Sequence, residues 1–319
     1  MTAQEYIDYK LNNLKDPTDS SDELADIEDE IYKKLTSKKY RKYALTPEFA
    51  KHIKGAINIR VNKKLPINIT LTQGGYKLWS LGEAPYVDWA EFFANIRHIE
   101  WLKTICQIYQ PGIEFEIFFD DALVPYICNL DFKTTEQYVE SYKEMLNCLE
   151  KYTPDNFYYK ITTLSSKFNY PEEYEAALSK NEQYILDSNG GNYPDISIRG
   201  ASVKLNTKPL GSYAKDSEWQ EKILLTHDAG LKTKNDLKYH LAPDKIHSFA
   251  SKSPFAISVG ATASSGVKYW TGVGALKRSN PYSMDVLSPK QLAAADFKWE
   301  DVNIKGLQGK NFNRIRVLN

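Results

Sequence analysis

Two short motifs in this 319-residue chain combine residue types that can do chemistry on a small polar molecule. The first is Gly74-Gly75-Tyr76-Lys77. Two glycines let a ligand approach the backbone closely, and a lysine directly after them reaches an anion or a carbonyl oxygen. No Gly-Lys-Ser/Thr follows at P-loop spacing, so a plain structural turn explains the run equally. The second motif is Asp120-Asp121. Adjacent carboxylates can bind a cation, hold a substrate amine or share a proton, and sharing pushes one pKa upward. A solvent-facing turn or a helix cap accounts for the same pair without chemistry.

A third group lies toward the C-terminus. Ser251-Lys252-Ser253 and Thr262 to Lys268 are small, hydroxyl-rich and basic. Such loops offer backbone N–H groups and an ammonium to a phosphate or carboxylate, which makes Lys252, Ser253 and Lys268 candidate binding residues. Ordinary surface loops have the same composition. Tyr269-Trp270 supplies an aromatic wall if the loop folds over a pocket. The histidines His52, His98, His227, His240 and His247 are scattered, with no HExxH or CxxC spacing, so no metal centre and no cofactor are expected. His227-Asp228 is a possible acid/base pair in a loop-like stretch, and His98 reads as a packed or surface side chain of a long helix. The absence of Gly-x-Ser-x-Gly and GxGxxG argues against a serine hydrolase and a standard dinucleotide site.

The elements that must position these residues are legible in the hydrophobic pattern. Leu65 to Leu71 alternates as a strand and runs into Gln73 and the glycine motif. Asp88 is a good N-cap, with Glu91 completing a capping box. The helix it opens has one face made by Trp89, Phe92, Phe93, Ile96, Ile99, Leu102, Ile105 and Tyr109, and it stops at Pro111-Gly112. Ile113 to Phe119 reads as a strand ending in Asp120-Asp121. Thr134 with Gln137 opens a helix striped by Tyr138, Tyr142, Met145, Leu146 and Leu149. Phe157 to Leu164 reads as a strand and Pro171 to Leu186 as a helix.

This alternation predicts an α/β fold with a central, largely parallel sheet and flanking helices, Rossmann-like in arrangement. In such sheets ligands gather beyond the carboxyl ends of the strands, so the two motifs are expected at one rim. After residue 190 the pattern changes to a helix at Ser217 to Thr226, then loops. Beyond these come β runs at Phe255 to Gly260 and Val267 to Leu276, and a short strand at Arg314 to Leu318. The expected organisation is a charged helical segment over 1–60, an α/β core over 61–190, and a C-terminal β-rich extension over 191–319 packed on the core.

Lysine plus arginine number 41 and aspartate plus glutamate 41, so the net charge is zero, which disfavours a nucleic-acid partner. The acidic run Asp16 to Glu30 and the basic run Lys33 to Lys42 read as a solvated helix face with i,i+4 ion pairs, or as a docking face for phosphates. Cys106, Cys128 and Cys148 sit among apolar residues without metal spacing, as free thiols do in a reducing compartment. Met1 to Lys10 is polar and lacks the apolar run of a signal peptide, and no stretch is long enough to span a bilayer. A cytoplasmic protein with no membrane partner is therefore expected. With 22 tyrosines the chain suits a Tyr-rich interior or pocket, although composition bias gives the same count.

Taken in order, Gly75-Tyr76-Lys77, then Pro85, Asp88, Ala90 and Glu91, then Tyr109-Gln110-Pro111-Gly112, then the strand ending in Asp120-Asp121 resemble one family. It is the isocyanide (isonitrile) synthase family that includes the pyoverdine/paerucumarin and fungal dityrosine biosynthesis proteins. The Tyr138 to Leu149 helix also looks alike, and the likeness covers roughly residues 60 to 150. Two places depart from it. The family has Ser-Asp-Gly where this chain has Asp120-Asp121. Its C-terminal Arg-x-Ser-Ile-His-Pro pattern meets His247 to Pro254 here, without the arginine and the last histidine. The resemblance implies metal-independent secondary metabolism in which an amino acid's amine condenses with the ketone of ribulose 5-phosphate. On that implication Lys77 and Lys252 hold phosphate or polarise the ketone, while Asp120 or Asp121 holds the amine or moves protons. The substrates would be an amino acid and a sugar phosphate. The departures imply the alternative of a catalytically divergent ligand-binding or interaction protein on the same fold.

Overall fold

The structure is a computed structural model that describes residues 1–15, 26–73, 86–128, 131–192, 217–239, 241–249, 257–258, 272–279, 281–307 and 311–319. Helices α1 (Ala3–Asn12), α2 (Ile27–Leu35) and α3 (Pro47–Asn62) lead into strand β1 (Ile67–Gln73). Helix α4 (Trp89–Cys106), strand β2 (Ile113–Phe119), helices α5 (Val124–Cys128) and α6 (Phe132–Glu150), strand β3 (Phe157–Thr163) and helix α7 (Pro171–Ser188) follow. The Asp88 and Glu91 side chains close the predicted capping box at the start of α4. Helix α6 begins slightly earlier than the pattern suggests, because the Asp131 carboxylate accepts from the backbone N–H and hydroxyl of Thr134.

Helix α8 (Ser217–Asp236) then precedes β4 (Lys245–Phe249) and β5 (Ile257–Ser258). The five strands form one sheet in the order β3-β2-β1-β4-β5, and every pairing is parallel. Register aligns Gln73, Phe119 and Thr163 in one row, so β1, β2 and β3 end flush. The sequence reading did not anticipate β4. Its Lys-Ile-His-Ser-Phe pattern mixes charge and hydroxyl with apolar residues and looks like a loop when taken alone. Nor did it extend the α8 helix past Thr226.

Alternation gives the sheet two unlike faces. One carries Ile67, Ile69, Leu71, Phe115, Ile117, Phe119 and Ile246, all buried, and packs on α3, α4 and α6. Ring contacts lock it: His98 stacks on Phe115 at 5.1 Å, and Phe119 meets Tyr142 edge-on at 5.2 Å. The opposite face carries Asn68, Thr70, Thr72, Glu116, Thr162, Lys245 and His247, which are also buried. Parallel sheets covered on both sides are ordinarily apolar on both. A row of buried polar and charged side chains is the feature of this fold that calls for a reason.

A second, mixed sheet is built from β6 (Val273–Lys277), β7 (Ser283–Leu287), β8 (Phe297–Asp301) and β9 (Arg314–Leu318), in the order β7-β6-β9-β8, with helix α9 (Pro289–Ala294) between β7 and β8. It docks on the start of α4. The Gly274 N–H donates to Asp88 Oδ2 at 3.0 Å, and Trp89 Nε1 donates to the Arg314 carbonyl at 2.8 Å. A Cβ on Gly274 would stand 2.4 Å from the Ala90 backbone nitrogen, so only glycine permits this approach. The chain's beginning closes the far side, where Gln4 and Asn303 exchange hydrogen bonds and the Ala3 N–H donates to Glu300. One hydrophobic cluster runs through α1, α4, α6 and both sheets. On α2, Ile31 and Leu35 are buried and Lys33 pairs with Glu30, as on a solvated amphipathic helix. Among the described residues no helix is long and apolar enough to cross a membrane.

Candidate functional site

The two sequence motifs begin from adjacent strand ends. The Asp120 N–H donates to the Gln73 carbonyl at 3.0 Å, so the residue before Gly74 is bonded directly to the first aspartate. Gly74, Gly75, Tyr76 and Lys77 lie outside the described residues, as do Lys252, Ser253 and Lys268. At the rim Gln73 donates to the Tyr138 hydroxyl, which donates in turn to Glu91. That chain ties the end of β1 to the capped start of α4.

The aspartates turn to different partners. Asp120 is 5% exposed, and its oxygens lie 3.0 and 3.1 Å from Nζ of Lys234 on α8. Asp121 accepts the Ser165 N–H at 3.0 Å and also the Ser165 hydroxyl. Burial pushes the Asp121 carboxyl up, against the pull of those serine hydrogen bonds. A shared proton, one option the sequence allowed, is not what this geometry provides. Beside both carboxylates sits the buried hydroxyl of Tyr174, which has no hydrogen-bond partner among the described residues. Its pKa is raised, first by burial and then by the charge of Asp120.

The polar sheet face is centred on Glu116, which is 0% exposed. Its carboxylate accepts from Lys245 Nζ at 2.5 Å, the Thr162 hydroxyl at 2.6 Å and the Tyr239 hydroxyl at 2.7 Å. Asn68 and Thr70 approach its second oxygen at 3.3 and 3.4 Å. Burial on its own would raise this carboxyl, but the Lys245 ammonium and the two shorter hydroxyl bonds together hold it at about 2. Glu116 is therefore ionised at neutral pH. Asn68 also donates to Glu114, and Lys160 lies 3.9 Å from the same carboxylate.

Tyr239 stands over this cluster, following α8. Its ring receives Lys245 at 3.6 Å and Lys167 at 3.7 Å, and it tilts against Phe118 at 5.9 Å. In a water-poor interior these groups can hold polar substrate atoms in a fixed geometry.

Sequence reasoning missed this cluster, although a signal was present. Ile-Glu-Phe-Glu-Ile in β2 places Glu114 and Glu116 two apart, on one face of a strand that is otherwise core. Lys245 and His247 repeat that spacing in β4. The basic residue that β4 delivers to the sheet is Lys245, two positions before the His247 to Pro254 segment that lacks the arginine. His227 and Asp228 lie 3.4 Å apart on α8, not in a loop. His98 is fully buried, and burial lowers it to about 4. Among the described residues no three of His, Cys, Asp and Glu gather as metal ligands.

No family model matches the sequence, and no curated protein matches it. Among solved structures the chain is similar to the PvcA protein from Pseudomonas aeruginosa, with TM-score 0.58 and 12% identity over 92% of this chain and 99% of that one. A CDPS from Fluoribacter dumoffii is also found, with TM-score 0.33 and 14% identity over 69% of this chain and 86% of that one. The first likeness bears on the fold, and the second carries no weight. The resemblance noted in residues 60–150 is thus accompanied by a likeness of fold over nearly the whole chain.

Proposed function

We propose that this chain is a small-molecule biosynthetic enzyme of the isonitrile synthase type, joining the amine of an amino acid to the ketone of ribulose 5-phosphate. The observation that carries the reading is the buried ionic face around Glu116, directly below the strand ends where an α/β sheet receives ligands. The sequence resemblance and the fold likeness to the PvcA protein support it. Attack of an amine on a ketone needs a base for the ammonium proton and an acid for the departing hydroxyl. Asp121, with its raised carboxyl, suits the proton-carrying role better than Asp120, whose charge Lys234 already neutralises. Lys77 and Lys252 would hold phosphate or polarise the ketone, and Gly74, Gly75, Tyr76, Ser253 and Lys268 would line the substrate.

The test is a thermal-shift screen of the purified chain with aromatic amino acids and pentose phosphates, followed by mass spectrometry of the mixed reaction. Both ligand classes should raise Tm, by about 3 kcal/mol of added stability at a hundredfold excess over Kd. An isonitrile product should form, and Lys77→Ala and Asp121→Asn should each reduce it. If both variants bind and turn over as the parent does, this site assignment is wrong. The alternative, a divergent binding protein, is favoured by the missing arginine and histidine in His247 to Pro254 and would give ligand shifts without product.

A further inference from the structure

We infer that the polar face carries an anion subsite, formed by Lys160 and Lys167 beside Tyr239, that holds a phosphate or carboxylate group of the substrate. Four lysines surround the Phe118–Tyr239 ring pair, and two of them are matched. Lys245 and Lys234 lie 2.5 and 3.0 Å from Glu116 and Asp120. Lys160 bonds the Tyr239 hydroxyl and feels the charge of Glu116, but its nearest carboxylate, Glu114 at 3.9 Å, already accepts the Asn68 amide at 2.5 Å. Lys167 has no carboxylate within 4.0 Å among the described residues, and its ammonium rests 3.7 Å from the centre of the Tyr239 ring. An ammonium on an aromatic face is held in place and has given up part of its hydration, while its outward N–H bonds remain free for an anion.

A second, independent observation marks the other end of the same face. The Thr72 hydroxyl is buried, on a residue 6% exposed, and has no hydrogen-bond partner among the described residues. Buried hydroxyls are ordinarily satisfied, so this one points to a missing acceptor or donor. Register sets Thr72, Phe118 and Thr162 side by side on three neighbouring strands. Two strand spacings separate the outer pair by about 10 Å. The Thr162 hydroxyl lies 3.5 Å from the Tyr239 hydroxyl and Lys167 rests on that same ring, so a five-carbon sugar phosphate or an amino acid can reach from an anion held at Lys167 to a hydroxyl or amine at Thr72. The subsite rests on the proposed function only for the identity of the molecule it takes.

Titration calorimetry on the full chain tests it, using inorganic phosphate, ribulose 5-phosphate, L-tyrosine and L-tyrosine amide as probes. Lys167→Met should weaken the anion it serves by about 10- to 100-fold, and Lys167→Arg should stay within a few-fold of the parent. Loss confined to phosphate and ribulose 5-phosphate identifies a phosphate site. Loss confined to L-tyrosine, with the amide unaffected, identifies a carboxylate site. Parent-like binding of all four probes to a folded Lys167→Met protein overturns the subsite. Lys167-dependent phosphate binding without turnover would leave the subsite standing and remove the proposed reaction. Turnover with unchanged KM in Lys167→Met would do the reverse.

Discussion

Replacing Glu116 by glutamine is expected to destabilise the fold by about 3–5 kcal/mol, the usual consequence of stripping one partner from a buried ion pair. The substitution keeps the size and shape of the side chain. It removes the charge opposite the Lys245 ammonium, a lysine only 7% exposed, and leaves that cation buried without its counter-ion. The double variant Glu116→Gln, Lys245→Met should recover much of the loss, because no uncompensated charge then remains. Urea unfolding measures both, and a single-variant loss below about 1 kcal/mol would mean that the pair is far better hydrated than its burial indicates.

The same carboxylate sets an acid limit. Its folded-state pKa of about 2 lies below the ordinary glutamate value of 4.5, so it contributes stability above the unfolded-state pKa. That contribution, about 3 kcal/mol, is lost as pH falls from 4.5 toward 2. Glu116→Gln should flatten this part of the stability profile.

The second large effect is expected at the strand rim. Lys234→Met leaves the buried Asp120 carboxylate without its ammonium and should destabilise by about 3–5 kcal/mol at neutral pH. Asp120→Asn strands the lysine instead, and a double-mutant cycle should return a coupling of about 2 kcal/mol or more. Additive single losses would show that the two groups do not act as a pair. Because this pair is complete without substrate, Asp120→Asn should lower Tm more than it alters ligand affinity, whereas Asp121→Asn should do the opposite.

Much of the scaffold was legible because burial on one face writes a period into the sequence. Asp88 with Glu91 announced the start of α4, and the Tyr138, Tyr142, Met145 stripe announced α6, since each sits where helical geometry requires it. The hidden part was β4. A strand whose alternate residues serve a polar interior has no apolar alternation to read, and Lys245 and His247 look like loop residues until Glu116 is placed opposite them. Asp120 drew notice as one of two adjacent carboxylates, but its partner Lys234 lies 114 positions away, a pairing that no local pattern encodes. Glu116 failed to stand out for the opposite reason. A glutamate in a strand carries no sign of its partners, and Lys245, Thr162 and Tyr239 reach it from β4, β3 and the segment after α8.

The most direct test of the account is a crystal structure of the chain soaked with ribulose 5-phosphate and L-tyrosine. Density is expected between Thr72 and Lys167, with polar atoms in hydrogen-bonding reach of the Glu116, Tyr239 and Lys245 cluster. Ligand bound elsewhere, with that face closed and its charges paired only with one another, would make the ionic row a structural feature and contradict its role in substrate binding.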